Sequence, residues 1–277
     1  MRNSWPAALS ALESEVLSDG AIGADDVLAL RRAIYRDGPI DREAAAFLFH
    51  LNRKSRADHV SHHPSWAEFY VEALTDFFYW REGSDSKLTD DAERMILEWL
   101  APGPALDDVS ELRLLLNLMF RTNGSSERFR GFVLDAVRHS VLHGTQTLDG
   151  HARRLPGVID AADVEVIRKL VYGMGSQSRM AISRAEAEFL FALNNATAGA
   201  RNAPAWRELF VKAVTMYLLF AGDSPDRVDE PEARWLVEQI QADKVEHDAE
   251  RALLAYLKQE AAGLDPLLEP LCQQLGV

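Results

Sequence analysis

A short histidine-rich loop carries the side chains with the clearest capacity for chemistry. The segment DHVSHHP places one aspartate and three histidines within six residues. Imidazole nitrogens and a carboxylate are ligands that zinc and nickel accept, provided that the loop folds back on itself. The candidate metal ligands are Asp58, His59, His62 and His63. An exposed loop without a metal explains the same residues, so both interpretations stay open.

A second candidate site is aromatic. The stretch from Trp66 to Trp80 holds more aromatic rings than one helix face readily hides. Helical spacing places Tyr79 and Trp80 toward the opposite side of that helix, where they contact either the other half of the chain or a protein partner. The candidate partner-binding residues are Trp66, Tyr70, Tyr79 and Trp80.

Known catalytic motifs do not accompany these residues. The sequence has no Walker A segment, no Gly-x-Ser-x-Gly elbow and no Cys-x-x-Cys pair. Its one cysteine, Cys272, shares an apolar helical stripe with Leu268, Leu271 and Leu275, which is typical of a buried structural thiol. We therefore expect no catalytic residues and no cofactor, apart from a possible divalent metal.

Charge and composition narrow the classes of partner. The 277-residue chain has a formal net charge of −13 and a pI near 5.1, so it repels phosphate backbones and anionic lipid headgroups. No window approaches the roughly 20 apolar residues that span a bilayer. A single cysteine fits a reducing compartment. We expect a cytoplasmic protein that binds neither nucleic acid nor membranes, with a protein partner or a homo-oligomer instead.

The chain aligns with itself. PSWAEFYVEALT from Pro64 matches PAWRELFVKAVT from Pro204 at six of twelve positions. FLFHLN from Phe47 recurs as FLFALN from Phe189, and DVLALRRAIY from Asp26 recurs as DVEVIRKLVY from Asp163. The order of the matching segments is the same in both halves. Copies of this length are too long for solenoid repeats and have the size of domains.

Apolar residues within each copy recur at intervals of three and four, which predicts amphipathic helices rather than strands. We therefore predict an all-α protein made of two tandem homologous bundles of about six helices each. The glycine-containing stretch VLHGTQTLDG separates them. The predicted domains are residues 1–142 and residues 150–277.

Polar residues mark four predicted helix starts. Ser183 and Glu186 form a capping box, in which each side chain bonds a free backbone amide of the first turn. Asp41, Thr89 and Asp229 occupy equivalent N-cap positions.

Two segments, DGAIGAD from Asp19 and DGPIDRE from Asp37, repeat a glycine turn that leads into an acidic helix start. Among amphipathic helices in an acidic protein, this pattern resembles the tellurite-resistance TerB-like helical domains of bacteria. The resemblance implies an all-helical, stress-associated module with a possible acidic metal site, which maps here to Asp19, Asp25, Asp37 and Glu43. The second copy lacks the Asp-Gly pairs.

The leading functional hypothesis is a non-catalytic binding or scaffolding protein that presents a helical groove or an aromatic ridge to a protein partner. The alternative is a metal-binding sensor or metal-dependent enzyme that uses the histidine-rich loop or the acidic turns. A small-molecule site between helices also stays open, because such pockets leave no motif.

Overall fold

The protein is built from α-helices. In the computed structural model, the described residues are 5–81, 83–84, 87–100, 106, 108–122, 124–173, 182–220, 225–242 and 247–277, without the side chains of residues 80, 81, 83 and 84. Within these ranges there are thirteen α-helices, and every strand is two residues long. The all-α class predicted from the apolar spacing is confirmed.

The helices vary from seven to seventeen residues in length. They are α1 (Ala7–Val16), α2 (Ala24–Ile34), α3 (Arg42–Ala57), α4 (Pro64–Asp76), α5 (Asp90–Trp99), α6 (Val109–Arg121), α7 (Glu127–His143), α8 (Ala161–Tyr172), α9 (Arg184–Ala196), α10 (Pro204–Phe220), α11 (Glu230–Gln241), α12 (Asp248–Glu260) and α13 (Glu269–Leu275). A π-helical turn, Phe77–Arg81, continues α4, and a 3-10 turn, Pro266–Leu268, precedes α13. Among the described residues, no helix is long and apolar enough to cross a membrane.

Each short strand pairs with one other strand and so connects two loops. The pairs are β1 (Ala21–Ile22) parallel to β2 (Ser61–His62), β3 (Gly83–Ser84) antiparallel to β4 (Lys87–Leu88), and β5 (Arg227–Val228) parallel to β6 (Gly263–Leu264). Each pairing fixes the path of a connection beside a helix end.

The chain divides into two compact units. The first contains Met1–Pro102 and Ser110–Leu118, and the second contains Gly103–Val109 and Met119–Val277. Helix α7 therefore belongs to the second unit. The boundary predicted at residues 142–150 follows the glycine-containing stretch, whereas these units are defined by spatial contacts, so the tandem-repeat arrangement stays a prediction.

Helix α4 organises the core of the first unit. Its aromatic residues recur at helical spacing and share one face, so they leave solvent together. Trp66, Phe69 and Tyr70 are at most 1% exposed. The core continues into the π-helical turn, where the Phe77 ring stacks on Trp99 with centroids 6.2 Å apart.

Helix α10 has the same role in the second unit, where it packs against α8, α9 and α12. The rings of Phe191 and Phe210 meet edge to face, with centroids 5.0 Å apart. Leu253 and Leu257 of α12 are fully buried.

The predicted helix starts are confirmed. The Asp41 carboxylate accepts a hydrogen bond from the Ala44 amide at 2.8 Å, and Thr89 and Asp229 cap α5 and α11 in the same way. The capping box of Ser183 and Glu186 is present at the start of α9. These bonds satisfy amides that a helix cannot satisfy itself.

A buried arginine fixes the segment between α7 and α8. The Arg154 guanidinium donates to the Val141 carbonyl at 2.7 Å and also to that of Ser140. It forms an ion pair with Asp163 at 3.0 Å, and both side chains are at most 2% exposed. Asp163 in turn accepts from the Leu148 amide at 2.8 Å. The glycine-containing stretch is therefore a folded part of the second unit.

Candidate functional site

The structure gives the histidines of the DHVSHHP loop local bonding roles. The His62 Nε2 lies 2.8 Å from the Ser55 hydroxyl, and the His63 Nδ1 accepts from the Ser65 amide at the start of α4. His59 has a left-handed backbone with φ of 56°, directly after Asp58, the C-cap of α3. The described residues contain no group of three His, Cys, Asp or Glu side chains that could hold a metal ion. Metal binding by this loop stays a prediction.

The acidic residues suggested by the TerB-like resemblance are likewise not brought together. Asp19 accepts from the Ala21 amide at 3.0 Å, and Asp37 pairs with Arg36 at 3.1 Å. Asp25 and Glu43 are exposed in the first turns of α2 and α3. The bonds of Asp19 and Asp37 are local ones to residues one or two positions away.

Two of the four proposed partner-binding aromatics are core residues. Trp66 and Tyr70 have no exposed surface, because they lie on the inward face of α4. They cannot contact a partner in this conformation. Tyr79 is half-buried, and the Trp80 side chain lies outside the described residues.

The buried cysteine has no environment that would activate it. Cys272 lies on the inward side of α13, as its apolar stripe predicted. Burial raises the pKa of its thiol above the ordinary value, which disfavours the reactive thiolate.

A cavity in the second unit brings together polar groups that sequence reasoning did not select. Its volume of about 610 Å³ falls within the range of small-molecule sites, and it lies widely open to solvent rather than enclosed. The wall is formed by the end of α9, the connection from Thr197 to Ala203, and the first turns of α10 and α12. All of these elements lie within one compact unit.

Hydrogen bonds hold the connecting loop in place along this wall. The Asn202 amide nitrogen donates to the Thr197 hydroxyl at 3.0 Å, while its oxygen accepts from the Ile159 amide at 2.9 Å. The Ala203 amide donates to the Ile159 carbonyl at 2.8 Å. Gly199 supplies a turn with φ of 75°, which glycine adopts without strain. The cavity wall is consequently preformed.

Two nitrogens in the cavity-lining side chains have no hydrogen-bond partner among the described residues. They are the amide nitrogen Nδ2 of Asn194 and the indole nitrogen Nε1 of Trp206. Asn194 is 6% exposed and Trp206 is 3% exposed, so solvent does not replace the missing partners. A buried donor without an acceptor costs about 1–3 kcal/mol. Native proteins seldom leave such groups unsatisfied.

The first unit carries an aligned asparagine and tryptophan, and there the two residues bond to each other. Asn52 corresponds to Asn194, and Trp66 corresponds to Trp206. The Trp66 Nε1 donates to the Asn52 Oδ1 at 3.1 Å, and both residues are fully buried. The equivalent bond is absent from the second unit as the Asn194 amide is oriented, and a half-turn of that amide exchanges its nitrogen and oxygen.

The charges around the cavity are mixed, because the first turn of α12 carries two carboxylates, Asp248 and the fully buried Glu250. The first turn of α12 lies on the wall, and the amino end of a helix carries partial positive charge. Arg207 stands exposed beside it. One carboxylate, Asp248, also borders the cavity, but its side chain is 89% exposed and lies 3.7 Å from Arg251.

A second, smaller pocket between α9 and α11 has its charges already paired. It measures about 390 Å³ and is bordered by Arg184, Arg234 and Trp235. Arg184 pairs with Glu188 at 2.8 Å, Arg234 pairs with Glu230 at 2.5 Å, and the Trp235 indole donates to Glu188 at 3.3 Å. These groups gain little from a ligand.

In the sequence, Asn194 and Trp206 are distinguished only as positions of the internal alignment. The internal alignment pairs them with Asn52 and Trp66, but no motif distinguishes a bonded pair from an open one. Comparison of the chain with protein-family models, with curated proteins and with solved structures finds no match in any of the three.

Proposed function

We propose that this protein is a non-catalytic binding protein whose second unit holds a small ligand in the cavity between α9, α10 and α12. The observation that carries the proposal is the pair of unpartnered nitrogens of Asn194 and Trp206 in side chains that line a preformed cavity. The two nitrogens have almost no accessible surface, so a bound acceptor reaches them only if neighbouring side chains shift, and it would then satisfy both donors and offset the cost of burying them.

The contrast with the first unit supports a division of roles. There the same residue types form a direct bond, so the first unit has no equivalent unsatisfied donors at Asn52 and Trp66. We propose that the first unit stabilises the protein while the second binds the ligand.

Several proposals rest on the sequence alone. We propose that the protein acts in the cytoplasm as a tandem duplication, and that it belongs to a stress-associated class resembling TerB-like domains. A protein partner or homo-oligomer is also proposed, with Tyr79 and Trp80 as candidate contacts. Elemental analysis of untagged protein tests the metal-binding alternative, for which a stoichiometric metal lost in His62→Ala and His63→Ala is the expected sign.

Indole NMR of 15N-tryptophan-labelled protein tests the cavity proposal. The chain has six tryptophans, and Trp206→Phe and Trp66→Phe assign the two relevant signals. The probes are 3-phenylpropanoate, 3-phenylpropanamide and 3-phenylpropylamine, which share one hydrocarbon and differ in charge. At this size, a dissociation constant on the order of 1 mM is expected for a binder.

We expect at least one probe to move the Trp206 indole signal while the Trp66 signal stays fixed. Without a probe, the Trp206 indole proton should resonate upfield of the hydrogen-bonded Trp66 proton. If none of the probes moves the Trp206 signal at about 10 mM, the proposal is wrong. A ligand-free Trp206 proton as far downfield as that of Trp66 indicates a direct bond to Asn194 and also contradicts it.

A further inference from the structure

We propose that one exposed face of the second unit docks an acidic amphipathic helix of a partner protein. This surface, the α8–α10 face, is formed by Arg168, Lys169 and Tyr172 of α8 and by Lys212, Met216 and Phe220 of α10. It is separate from the cavity between α9, α10 and α12. The proposal follows from the register of the two helices, from the absence of two carboxylates that the aligned face of the first unit carries, and from the apolar surface beside the cations.

The helices of this face start in the same register as α2 and α4 of the first unit. The Ala203 amide, directly before α10, donates to the Ile159 carbonyl, just before α8, at 2.8 Å. The aligned bond of the first unit runs from the His63 amide to the Ile22 carbonyl, also at 2.8 Å. In both units the two helices then pack on each other. Aligned residues therefore meet across both helix pairs.

Carboxylates of α4 bridge the helix pair of the first unit. Glu72 accepts two hydrogen bonds from the Arg31 guanidinium, at 2.9 Å and 2.5 Å. Asp76 accepts from the Tyr35 hydroxyl at 3.1 Å. The first unit thus satisfies the polar side chains of this face by itself.

The second unit keeps the arginine and the tyrosine on α8 but has neither carboxylate on α10. Arg168 and Tyr172 occupy the aligned positions of α8, while Lys212 and Met216 stand where the first unit has its two carboxylates. The shared register places Arg168 beside Lys212. Among the described residues, Arg168 pairs with Glu165 of its own helix at 3.4 Å, with the side chains 38% and 62% exposed. Such an exposed pair contributes little, so a carboxylate from another molecule can compete for the two neighbouring cations.

Apolar surface lies beside these cations, toward the carboxyl ends of the two helices. Phe220 is 61% exposed and Tyr172 is 37% exposed. Met216 is partly exposed, and it lies four positions before Phe220 on the same side of α10. Aromatic rings supply much of the contact energy at protein interfaces. This end of the face therefore offers anchors for apolar side chains of a partner.

The order of charges along the face fixes how a partner can lie. Glu165 and Glu208 are exposed one turn before Lys169 and Lys212, so the amino-terminal end of the face is acidic. The cations lie in the middle, and the apolar end is about 6–12 Å further along α10. Two adjacent helices form a groove that accepts a third, which contacts it through residues one turn apart. A partner helix with carboxylates one or two turns from large apolar residues matches this order.

Other occupants match the face less well. The apolar end consists of three side chains, which is far short of the roughly 800 Å² per partner in a standard dimer interface. Two chains of net charge −13 also repel each other at long range. An anionic membrane meets the same repulsion, and its recognition typically uses about four to eight clustered cations, whereas the face has Arg168, Lys169 and Lys212. A short helix carries fewer charges and needs less surface.

Synthetic peptides test the occupant by fluorescence anisotropy with the full chain. The probe is a labelled, alanine-based helix of about 18 residues that carries two glutamates and, one turn away on the same side, two leucines. Matched peptides replace the glutamates by glutamine or by lysine, or the leucines by alanine. We expect a dissociation constant on the order of 100 μM for the probe. The glutamine peptide should bind about fivefold more weakly, the alanine peptide about tenfold more weakly, and the lysine peptide not at all.

Methyl NMR of methionine-labelled protein locates the binding. The chain has six methionines, and Met216→Leu assigns the relevant signal, which the probe should move. Lys212→Glu restores the carboxylate of the first unit and should weaken the probe about tenfold, while Phe220→Ala should weaken it about fivefold. Both side chains are exposed, so these substitutions leave the core intact. Arg32→Glu and Leu28→Ala change exposed residues of α2 in the same way, and neither should alter the affinity.

Four results would overturn the proposal. One is a glutamine or lysine peptide that binds as tightly as the probe, and another is a Met216 signal that stays fixed at about 1 mM probe. A Met216 signal that moves with protein concentration, together with a dimer mass in sedimentation, assigns the face to a second copy. Binding to vesicles of equal parts phosphatidylserine and phosphatidylcholine that Phe220→Ala abolishes assigns it to a membrane. None of these results bears on the cavity, which the Trp206 indole signal reports.

Discussion

In the first unit, α3 and α4 meet through a hydrogen bond from Trp66 to Asn52. In the second unit, the aligned residues of α9 and α10 leave their donors unpaired beside a cavity. The neighbouring loop bond is kept in both units, since Ser55 contacts His62 in one and Thr197 contacts Asn202 in the other. The two units thus share this loop bond. They differ in whether the buried tryptophan indole donates a hydrogen bond to the aligned asparagine or has no partner.

The largest expected difference in stability concerns two aligned aspartates, Asp26 of α2 and Asp163 of α8. Asp163→Ala should lower the free energy of unfolding of the second unit by about 4 kcal/mol, because it leaves the buried Arg154 charge unpaired. Asp26→Ala should cost only about 1 kcal/mol, since Asp26 accepts from the Gly23 amide and is only partly buried. Denaturant unfolding followed in each unit by amide hydrogen exchange measures both. Equal losses in the free energy of unfolding for the two variants would show that the burial of Asp163 adds nothing to its contribution.

Next in size is the asparagine pair itself. Asn52→Leu should destabilise the first unit by about 2 kcal/mol, because the Trp66 indole loses its buried acceptor. Asn194→Leu should change the stability of the second unit by less than about 1 kcal/mol, since its amide nitrogen has no bond to lose. Hydrogen exchange at amides of α4 and α10 reports each local free energy. A loss of about 2 kcal/mol in both variants would remove the contrast between the units.

A smaller difference lies just after α3 and α9, where the chain adopts a left-handed conformation. His59 occupies this position in the first unit with φ of 56°, and Gly199 occupies it in the second with φ of 75°. A left-handed conformation costs a residue other than glycine about 1–2 kcal/mol. His59→Gly should therefore stabilise the protein by up to about 1 kcal/mol, and Gly199→His should destabilise it by about 1 kcal/mol.

Space around Gly199 makes this exchange a clean test, because a Cβ atom there meets nothing within 4 Å. The shift in the midpoint of thermal unfolding provides the measurement. Opposite signs for the two substitutions are expected, and a destabilised His59→Gly would show that the imidazole itself contributes to the fold.

The smallest expected effect concerns the surface ion pair between Arg31 and Glu72 in the first unit. Arg31 bonds Glu72 at 2.5 Å. In the second unit Arg168 aligns with Arg31, but Lys212 stands at the position of Glu72, and Arg168 pairs with Glu165 at 3.4 Å instead. The hydrogen bonds from Arg31 lower the pKa of the Glu72 carboxyl below its ordinary value of 4.5. The pair therefore contributes stability above pH 4.5 and loses it as the pH falls through the lowered pKa.

Because half of the Glu72 side chain is exposed, that contribution should be no more than about 0.5 kcal/mol. Arg31→Met should return the pKa of Glu72 toward its ordinary value in a carbon-detected NMR titration. An unchanged titration would mean that the two side chains do not pair in solution.

The sequence predicted what depends on local physics. Periodic apolar residues located α3, α4, α9 and α10, and capping chemistry located helix starts such as Asp41 and Ser183. These features depend on residues three or four positions apart, which a single sequence displays.

Other features depend on residues that are distant in the chain. Trp66 and Tyr70 were predicted to contact a partner, but they lie in the core with no exposed surface. The cavity depends on how α9, α10 and α12 meet, and on whether Trp206 reaches Asn194. Such geometry is set by tertiary packing of whole helices, and residue spacing does not encode it.

The buried guanidinium of Arg154 also determines where the molecule can be dissected. Its hydrogen bonds reach back to the carbonyls of Ser140 and Val141, at the start of the glycine-containing stretch. A fragment that starts at residue 150 would keep this cation but discard the oxygens that solvate it, along with all of α7. Starting at residue 119 instead retains both, so efforts to produce the second unit alone should begin there.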